Sequence, residues 1–275
     1  MLDFYLSSAD ICLAEDNFSL FGEEIPSYQE HFNKCALEDE LRNKEIAKAL
    51  SEIESEEQFA FYDLGLSKNE QAIISQIKIE KFSNEVILLS KTKDDELLDI
   101  INSNLNISVN NAYNLLKLFK SIVHAITSAE DAQDAEIVLR TRAIYADQVC
   151  DYWHIDKNRN QVLEELNQAS IEQKYIERVY LIPIIGEGTE YKRVELEKKE
   201  EFYKIAEETL FYYGHGLAND CREDDLITKL FSGNKEIVGK GYGSVHKVGK
   251  EGAIHKAPSQ SSDGRMILII TPINH

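Results

Sequence analysis

Near residue 135 the hydrophobic pattern of this chain changes period, and that change limits what it can fold into. Before it, the stretch LEDELRNKEIAKALSEIESEEQ lacks Gly and Pro, is rich in helix formers and carries apolar residues at helical spacing. KDDELLDIINSNL opens on acids that suit a helix N-terminus, and SVNNAYNLLKLFKSIVHAIT has a strong apolar face with Ser108 as its N-cap. NEVILLSKT, between them, reads as a short strand. Past the change, AEIVLRTRAIYADQVC alternates and is β-branched, which reads as strand. ERVYLIPIIGEGTEYKRVEL reads as strand, glycine turn, strand, and Pro183 calls for an edge position or a bulge because it cannot donate to a ladder. LEKKEEFYKIAEETLFYYG reads as a helical insertion closed by Gly214, and DDLITKLF as another short helix. From Ile237 onward, short strands separated by glycines run to GRMILIITPIN, the texture of a β-sandwich or barrel. The expected architecture is α+β, with a mostly helical region over 1–134 and a β-rich region over 135–275.

Composition narrows the function. At 43% hydrophobic, 275 residues can bury one large core or two small ones. With 49 acidic against 30 basic residues, the net charge is -19, which disfavours nucleic acid and anionic membrane surfaces as partners and favours solubility. Cys12, Cys35, Cys150 and Cys221 lie far apart with no C-x-x-C pair, as expected of reduced thiols in a cytoplasmic protein. The N-terminus has no basic segment of a secretory signal, and no apolar run approaches membrane-spanning length.

Two stretches carry motifs. IVGKGYGSVHKV looks like a kinase glycine-rich loop, but Gly239, Gly241 and Gly243 place the third glycine one residue short, at the position before Ser244. The remainder of the chain is too short for the other kinase elements, so a hairpin with glycine turns is expected. The other stretch is DYWHID. On a strand, His154 and Asp156 point to the same side while Ile155 packs behind. Two histidines and one carboxylate form a face that binds Fe(II) and leaves positions open, so a second, distant histidine is required. In EGAIHKAPSQSSDGRMILIITP, His255 ends a short apolar strand and Arg265, ten positions on, opens the last one, with a turn-forming loop between. If these strands pair antiparallel, both side chains face one cavity, and arginine's planar fork suits a carboxylate. A metal face with an arginine beyond it meets the needs of 2-oxoglutarate, chelated at its keto acid end and clamped at its distal carboxylate.

On these residues the chain resembles the Fe(II)/2-oxoglutarate-dependent dioxygenase superfamily, whose fold is a double-stranded β-helix (a cupin-like jelly roll). More closely it is similar to an uncharacterised bacterial family of that type. The pattern reads Cys150, Trp153-His154-Ile155-Asp156, Arg178, Gly186-Glu187-Gly188-Thr189-Glu190-Tyr191, Ala253-Ile254-His255-Lys256-Ala257-Pro258 and Arg265. It covers residues from about 135 onward. Lys256 stands where that family favours Arg, the insertion RNQVLEELNQASIEQKY separates Asp156 from Arg178, and the stretch over 196–230 is longer than a bare barrel needs.

The resemblance implies Fe(II) on His154, Asp156 and His255, and 2-oxoglutarate on Arg265. Oxidative decarboxylation of the cosubstrate to succinate would accompany hydroxylation of an unknown small-molecule or protein substrate. His246 ranks second to His255 as ligand, having no arginine at the right distance. Of Tyr152 and Trp153, one packs in the core and the other lines the pocket. Arg178 serves either as a partner of the metal ligands or in a salt bridge, with the salt bridge favoured. Thr189, Tyr191 and Lys256 are further pocket candidates. His124 reads as a core or surface residue, His215 as part of a helix C-terminus and His275 as a chain end. Two other functions stay open. One is a cupin-like binding protein, or a metal-dependent isomerase or hydrolase with the same ligands. The other is a protein-interaction module with a degenerate barrel behind a helical recognition surface.

Overall fold

The structure, a computed structural model, describes residues 28–54, 57–77, 79, 84–89, 94–105, 107–142, 153–165, 174–206, 210–211, 214–216, 235–258 and 264–274. Helix α1 (Tyr28–Glu54) buries Ile46, Ala49, Leu50 and Ile53, one stripe at helical spacing. Helix α2 (Lys68–Gln76) starts with a capping box: the Ser67 hydroxyl accepts from the Glu70 N–H at 3.2 Å and Glu70 accepts from the Ser67 N–H at 2.7 Å. Helix α3 (Asp94–Asn104) carries Asp94, Asp95 and Glu96 in its first turn. Helix α4 (Val109–Ala129) is N-capped by Ser108 and buries Leu115, Phe119, Ile122 and Ile126 along one face. The buried Arg42 ties α1 to α2 and α4. It donates to the Leu64 carbonyl at 2.8 Å and to Ser121 of α4, and lies 3.7 Å from Glu70 of α2.

Among the described residues the strands form two antiparallel sheets. The larger has seven strands, running β1 (Phe59–Asp63), β11 (Tyr242–Lys247), β6 (Arg178–Ile185), β13 (Arg265–Asn274), β3 (Asp134–Arg142) and β2 (Asn84–Leu89), with β5 (Lys174–Tyr175) also on β13. The smaller has six, running β10 (Glu236–Ile237), β7 (Glu190–Lys192), β12 (Ile254–Lys256), β4 (His154–Asp156), β9 (Gly214–Gly216) and β8 (Leu210–Phe211). Two further helices, α5 (Arg159–Glu165) and α6 (Leu196–Ala206), lie in the connections. Strand alternation divides the large sheet's side chains between two cores. Tyr62, Tyr180, Ile182, Val245, Leu268 and Ile270 pack with the helices. Phe59, Val179, Leu181 and Ile267 face the other way and pack with Tyr191, Val238, Val248 and Ala253 on the side of the small sheet.

The result is a mixed α/β structure, and it departs from the sequence expectations at specific points. The region over 1–134 supplies β2, where a strand is expected, and also β1, where none is, and these strands are the two ends of the large sheet. A boundary at residue 134 would cut through that sheet. The helix expected to close at Gly214 ends at Ala206; Gly214 instead sits in β9, opposite Asp156. The aromatic run Phe211-Tyr212-Tyr213 carried no cap signal to mark that stop. DDLITKLF lies outside the described residues. Pro183 sits in a central strand, where a register irregularity between Met266 and Ile267 accommodates its missing N–H. The glycine-rich stretch is a turn rather than a hairpin, because β10 and β11 belong to different sheets. Gly241 there has φ +80°, which favours glycine. Among the described residues no helix is long and apolar enough to cross a membrane.

A methyl group at Gly243 would lie 2.4 Å from Cζ of Tyr62, whose side chain is 1% exposed. Gly243→Ala is therefore expected to cost about 1–3 kcal/mol. Gly239→Ala, which would meet only Tyr242 at 3.6 Å, should change stability by no more than about 0.5 kcal/mol. Thermal denaturation followed by circular dichroism checks both.

Candidate metal centre

The site is built on three neighbouring strands of the small sheet. In β12, His255 pairs directly with His154 of β4 on one side and with Tyr191 of β7 on the other. Side chains opposite each other in adjacent strands share a face, so this register sets the three rings in a row. The His154 and His255 ring centroids are 4.3 Å apart, and those of His255 and Tyr191 5.6 Å apart. Asp156 joins His154 on that face by the pleat, while Ile155 is buried between them on the opposite face. The Asp156 carboxylate lies between the histidines: Oδ1 is 3.6 Å from His154 Nε2 and Oδ2 is 3.6 Å from His255 Nε2. One ligand atom from each of His154, Asp156 and His255 lies within 4.8 Å of the others, the single such group among the described residues.

The electrostatics prepare these groups for a cation. Burial by itself would raise the Asp156 carboxyl. His255, the hydrogen bond with His246, and the charges of His246 and His154 outweigh it and hold the carboxyl well below the usual range. Burial first, and then His154, push His255 well below the ordinary histidine value, against the pull of Asp156. The His255 ring is therefore neutral at neutral pH, and Nδ1–H donates to the Ala253 carbonyl at 3.0 Å. That bond leaves the lone pair on Nε2, the atom facing the carboxylate. An ionised carboxylate and a neutral imidazole are the forms a metal requires.

Arg265 opens β13 on the face turned toward the small sheet. Its Nε donates to the Glu187 carbonyl and its Nη2 to the Thr189 hydroxyl, each at 3.2 Å. Both acceptors are neutral. Burial, with Arg140 and Arg142 nearby, pushes the guanidinium down to about 10, against Tyr191 acting the other way. Arg142 stands directly opposite Arg265 in the ladder, and Arg140 opposite Ile267. Thr189 and Tyr191 are one pleat repeat apart, about 7 Å along the chain. The wall they form thus has Arg265 at one end and His255 at the other.

The other candidates divide. His246 reaches in from β11 of the large sheet, with Nε2 3.0 Å from Asp156 Oδ2 and Nδ1 3.0 Å from the Tyr191 hydroxyl. Ser244, which no sequence argument singled out, accompanies it: its hydroxyl is 2.9 Å from that of Tyr191. The signal was present, since Ser244 and His246 are two residues apart on one strand. Trp153 is buried next to His154 but on the alternate side of the strand, with Lys256 Nζ 5.0 Å over its ring. Lys256 also lies 3.9 Å from Glu190, and both alternate with the residues of the metal face. Arg178 is on the helix-facing side of β6 and binds Glu130 through two nitrogens, Nε at 2.7 Å; the Tyr180 hydroxyl donates to the same carboxylate at 2.6 Å. That is the salt-bridge role, remote from the metal face. His124 is exposed on α4, and His215 lies in β9 opposite Ile155 instead of ending a helix. Cys150, Tyr152 and His275 lie outside the described residues.

No protein-family model and no curated protein matches the chain. Several solved structures do. A prolyl-4-hydroxylase from Pseudomonas putida is 9% identical, with a TM-score of 0.36 over 84% of this chain and 99% of that one. SnoK, a non-heme alpha ketoglutarate dependent carbocyclase from nogalamycin biosynthesis, is 10% identical, with a TM-score of 0.38 over 84% and 83%. AviO1 from Streptomyces viridochromogenes Tue57 is 12% identical, with a TM-score of 0.35 over 84% and 95%. At these scores the likeness transfers nothing to this chain, and any functional reading rests on its own residues.

Because the Glu130 side chain is 1% exposed and that of Arg178 25%, Arg178→Ala removes the charge partner of a buried carboxylate and leaves it the Tyr180 hydroxyl. It is expected to cost about 2 kcal/mol, less than a fully buried pair because the arginine is partly solvated. Metal affinity should not change. Chemical denaturation and a Co(II) titration of the same variant check the two halves of this expectation.

Proposed function

We propose that the chain is an Fe(II)- and 2-oxoglutarate-dependent oxygenase built on a double-stranded β-helix. His154, Asp156 and His255 are its metal ligands, and Arg265 anchors the distal carboxylate of 2-oxoglutarate. The observation that carries this reading is the wall from Tyr191 to Thr189. It runs from a face of two imidazoles and one carboxylate, with the Tyr191 ring 5.6 Å from that of His255, to a buried guanidinium on Thr189, the two ends that a dicarboxylic keto acid would bridge. The donor set suits a divalent first-row metal, and three ligands on one face leave adjacent positions for a cosubstrate and oxygen. Bound iron would supply oxygen activation coupled to decarboxylation of 2-oxoglutarate.

The chain's own residues do the rest. His255 presents a lone pair because the Ala253 carbonyl holds its other nitrogen. Asp156 is kept ionised by the histidines around it. Arg265, already oriented by Glu187 and Thr189, pairs with an arriving carboxylate, and its burial strengthens that pairing relative to water. Tyr191 and His246, both buried, close the space between the sheets against solvent. All of these side chains come from the region over 135–275, while the sheet behind them also uses β1 and β2.

The wild-type protein should bind one equivalent of Fe(II) under anaerobic conditions and form succinate from 2-oxoglutarate in air. His154→Ala should weaken Fe(II) binding by more than about 100-fold, since even residues behind the ligands are worth 10–100-fold. Arg265→Leu should keep the metal and lose 2-oxoglutarate turnover. Calorimetric titration and succinate quantification check these outcomes. Equal Fe(II) binding by wild type and His154→Ala would overturn the metal assignment. Tight metal binding without 2-oxoglutarate consumption would favour a cupin-like protein or another metalloenzyme on the same ligands.

A further inference from the structure

We propose that His246 is a positioning residue for Asp156, holding one carboxylate oxygen so that the other is presented to the metal; this rests on the metal reading above. His246 comes from the sheet opposite the ligands, 90 positions from Asp156 in the chain, and its side chain is fully buried. Its two ring nitrogens are both engaged, Nε2 with Asp156 Oδ2 and Nδ1 with the Tyr191 hydroxyl, each at 3.0 Å. The chain of contacts continues from Tyr191 to the Ser244 hydroxyl at 2.9 Å and from Ser244 to the Leu181 carbonyl at 3.3 Å. It ends on the backbone of β6, in the middle of the large sheet.

Donor and acceptor chemistry gives this chain a direction. An ionised carboxylate only accepts, so the hydrogen between His246 and Asp156 sits on His246 Nε2. The Tyr191 hydroxyl, the group in contact with Nδ1, can donate to it, which leaves the ring hydrogen on Nε2. A nitrogen that carries a hydrogen has no lone pair for a metal. His246 is therefore a partner of the ligand set and not a member of it. Consistently, its ligand atoms are not among those that converge with His154, Asp156 and His255. With one lone pair of Oδ2 taken by this bond, Oδ1, on the His154 side, is the freer oxygen for single-oxygen ligation. The ring has little room to swing, because it is packed against Tyr191 at 5.7 Å and His255 at 4.6 Å between centroids.

The test uses the full chain and Co(II), whose visible spectrum reports coordination as well as binding. His246→Leu should bind Co(II) about 10–100-fold more weakly and with an altered spectrum. His246→Gln, whose amide N–H can take the place of Nε2–H, should restore most of the affinity and the wild-type spectrum. Thermal denaturation of the metal-free variants accompanies both. Wild-type affinity and spectrum in His246→Leu would overturn the positioning role while leaving the metal site standing. Equal losses in His246→Leu and His246→Gln, matched by equal loss of metal-free stability, would overturn it in favour of a packing role. If wild type and His154→Ala alike bind no Co(II), the metal reading itself fails and the positioning role falls with it.

Discussion

The pairing of His255 with His154 across β12 and β4 is the constraint that fixes the whole site. Side chains alternate along a strand, so a slip of one residue in this register would turn His255 away from the face that His154 and Asp156 share. β4 and β12 are three residues each, too short to secure a register by their own hydrogen bonds. Their neighbours secure it: β7 pairs with three residues of β12, and β9 with three of β4. Ile155 and Ile254, both fully buried on the side away from the metal face, add a packing penalty to any slip.

The large sheet serves as the fixed wall of this arrangement. Its central strands β6 and β13 are buried on both faces, by the helices on one side and by the small sheet on the other. Such strands hold their position because displacement would disturb two cores at once. Arg265 and His246 both project from this wall, one as a cation and one as a hydrogen-bond donor. The candidate site is therefore an encounter between two sheets: His154, Asp156, His255 and Tyr191 come from one, and Arg265 and His246 from the other. Although the chain as a whole carries a net charge of -19, the interior near Arg265 is locally cationic, with Arg140 and Arg142 close by.

Local patterns made some of this legible and left the rest hidden. The helices α1, α3 and α4 follow from apolar spacing and from caps such as Ser108, which are properties of a few adjacent residues. Strand β1 is hard to read because Phe59-Ala60-Phe61-Tyr62-Asp63 is short and follows a long charged helix directly, although Asp63 and Gly65 mark a turn at its far end. The end of α6 was missed for a similar reason: the sequence after Ala206 keeps helix-forming residues, and only pairing with β4 draws β8 and β9 into the small sheet. For Trp153 the sequence offers core or pocket, and its place next to His154 on a strand sets it on the opposite side from the metal face.

By itself the sequence determined the local geometry, because the periods of helix and strand are properties of consecutive residues. It put His154 and Asp156 on one side of a strand, set His255 and Arg265 at the ends of a turn-forming loop, and placed Ser244 and His246 on a common face. Only the tertiary structure decided which of these faces meet. His246 and His255 are rival candidates for one position, and spacing ranks His255 first, through Arg265 ten residues on, without showing what His246 does instead. The fold separates them by strand and by sheet: His255 is beside His154 in the small sheet, and His246 approaches from across the gap to hold Asp156. The physical reason is that strand register and sheet-on-sheet approach depend on contacts between distant segments, which no local period encodes.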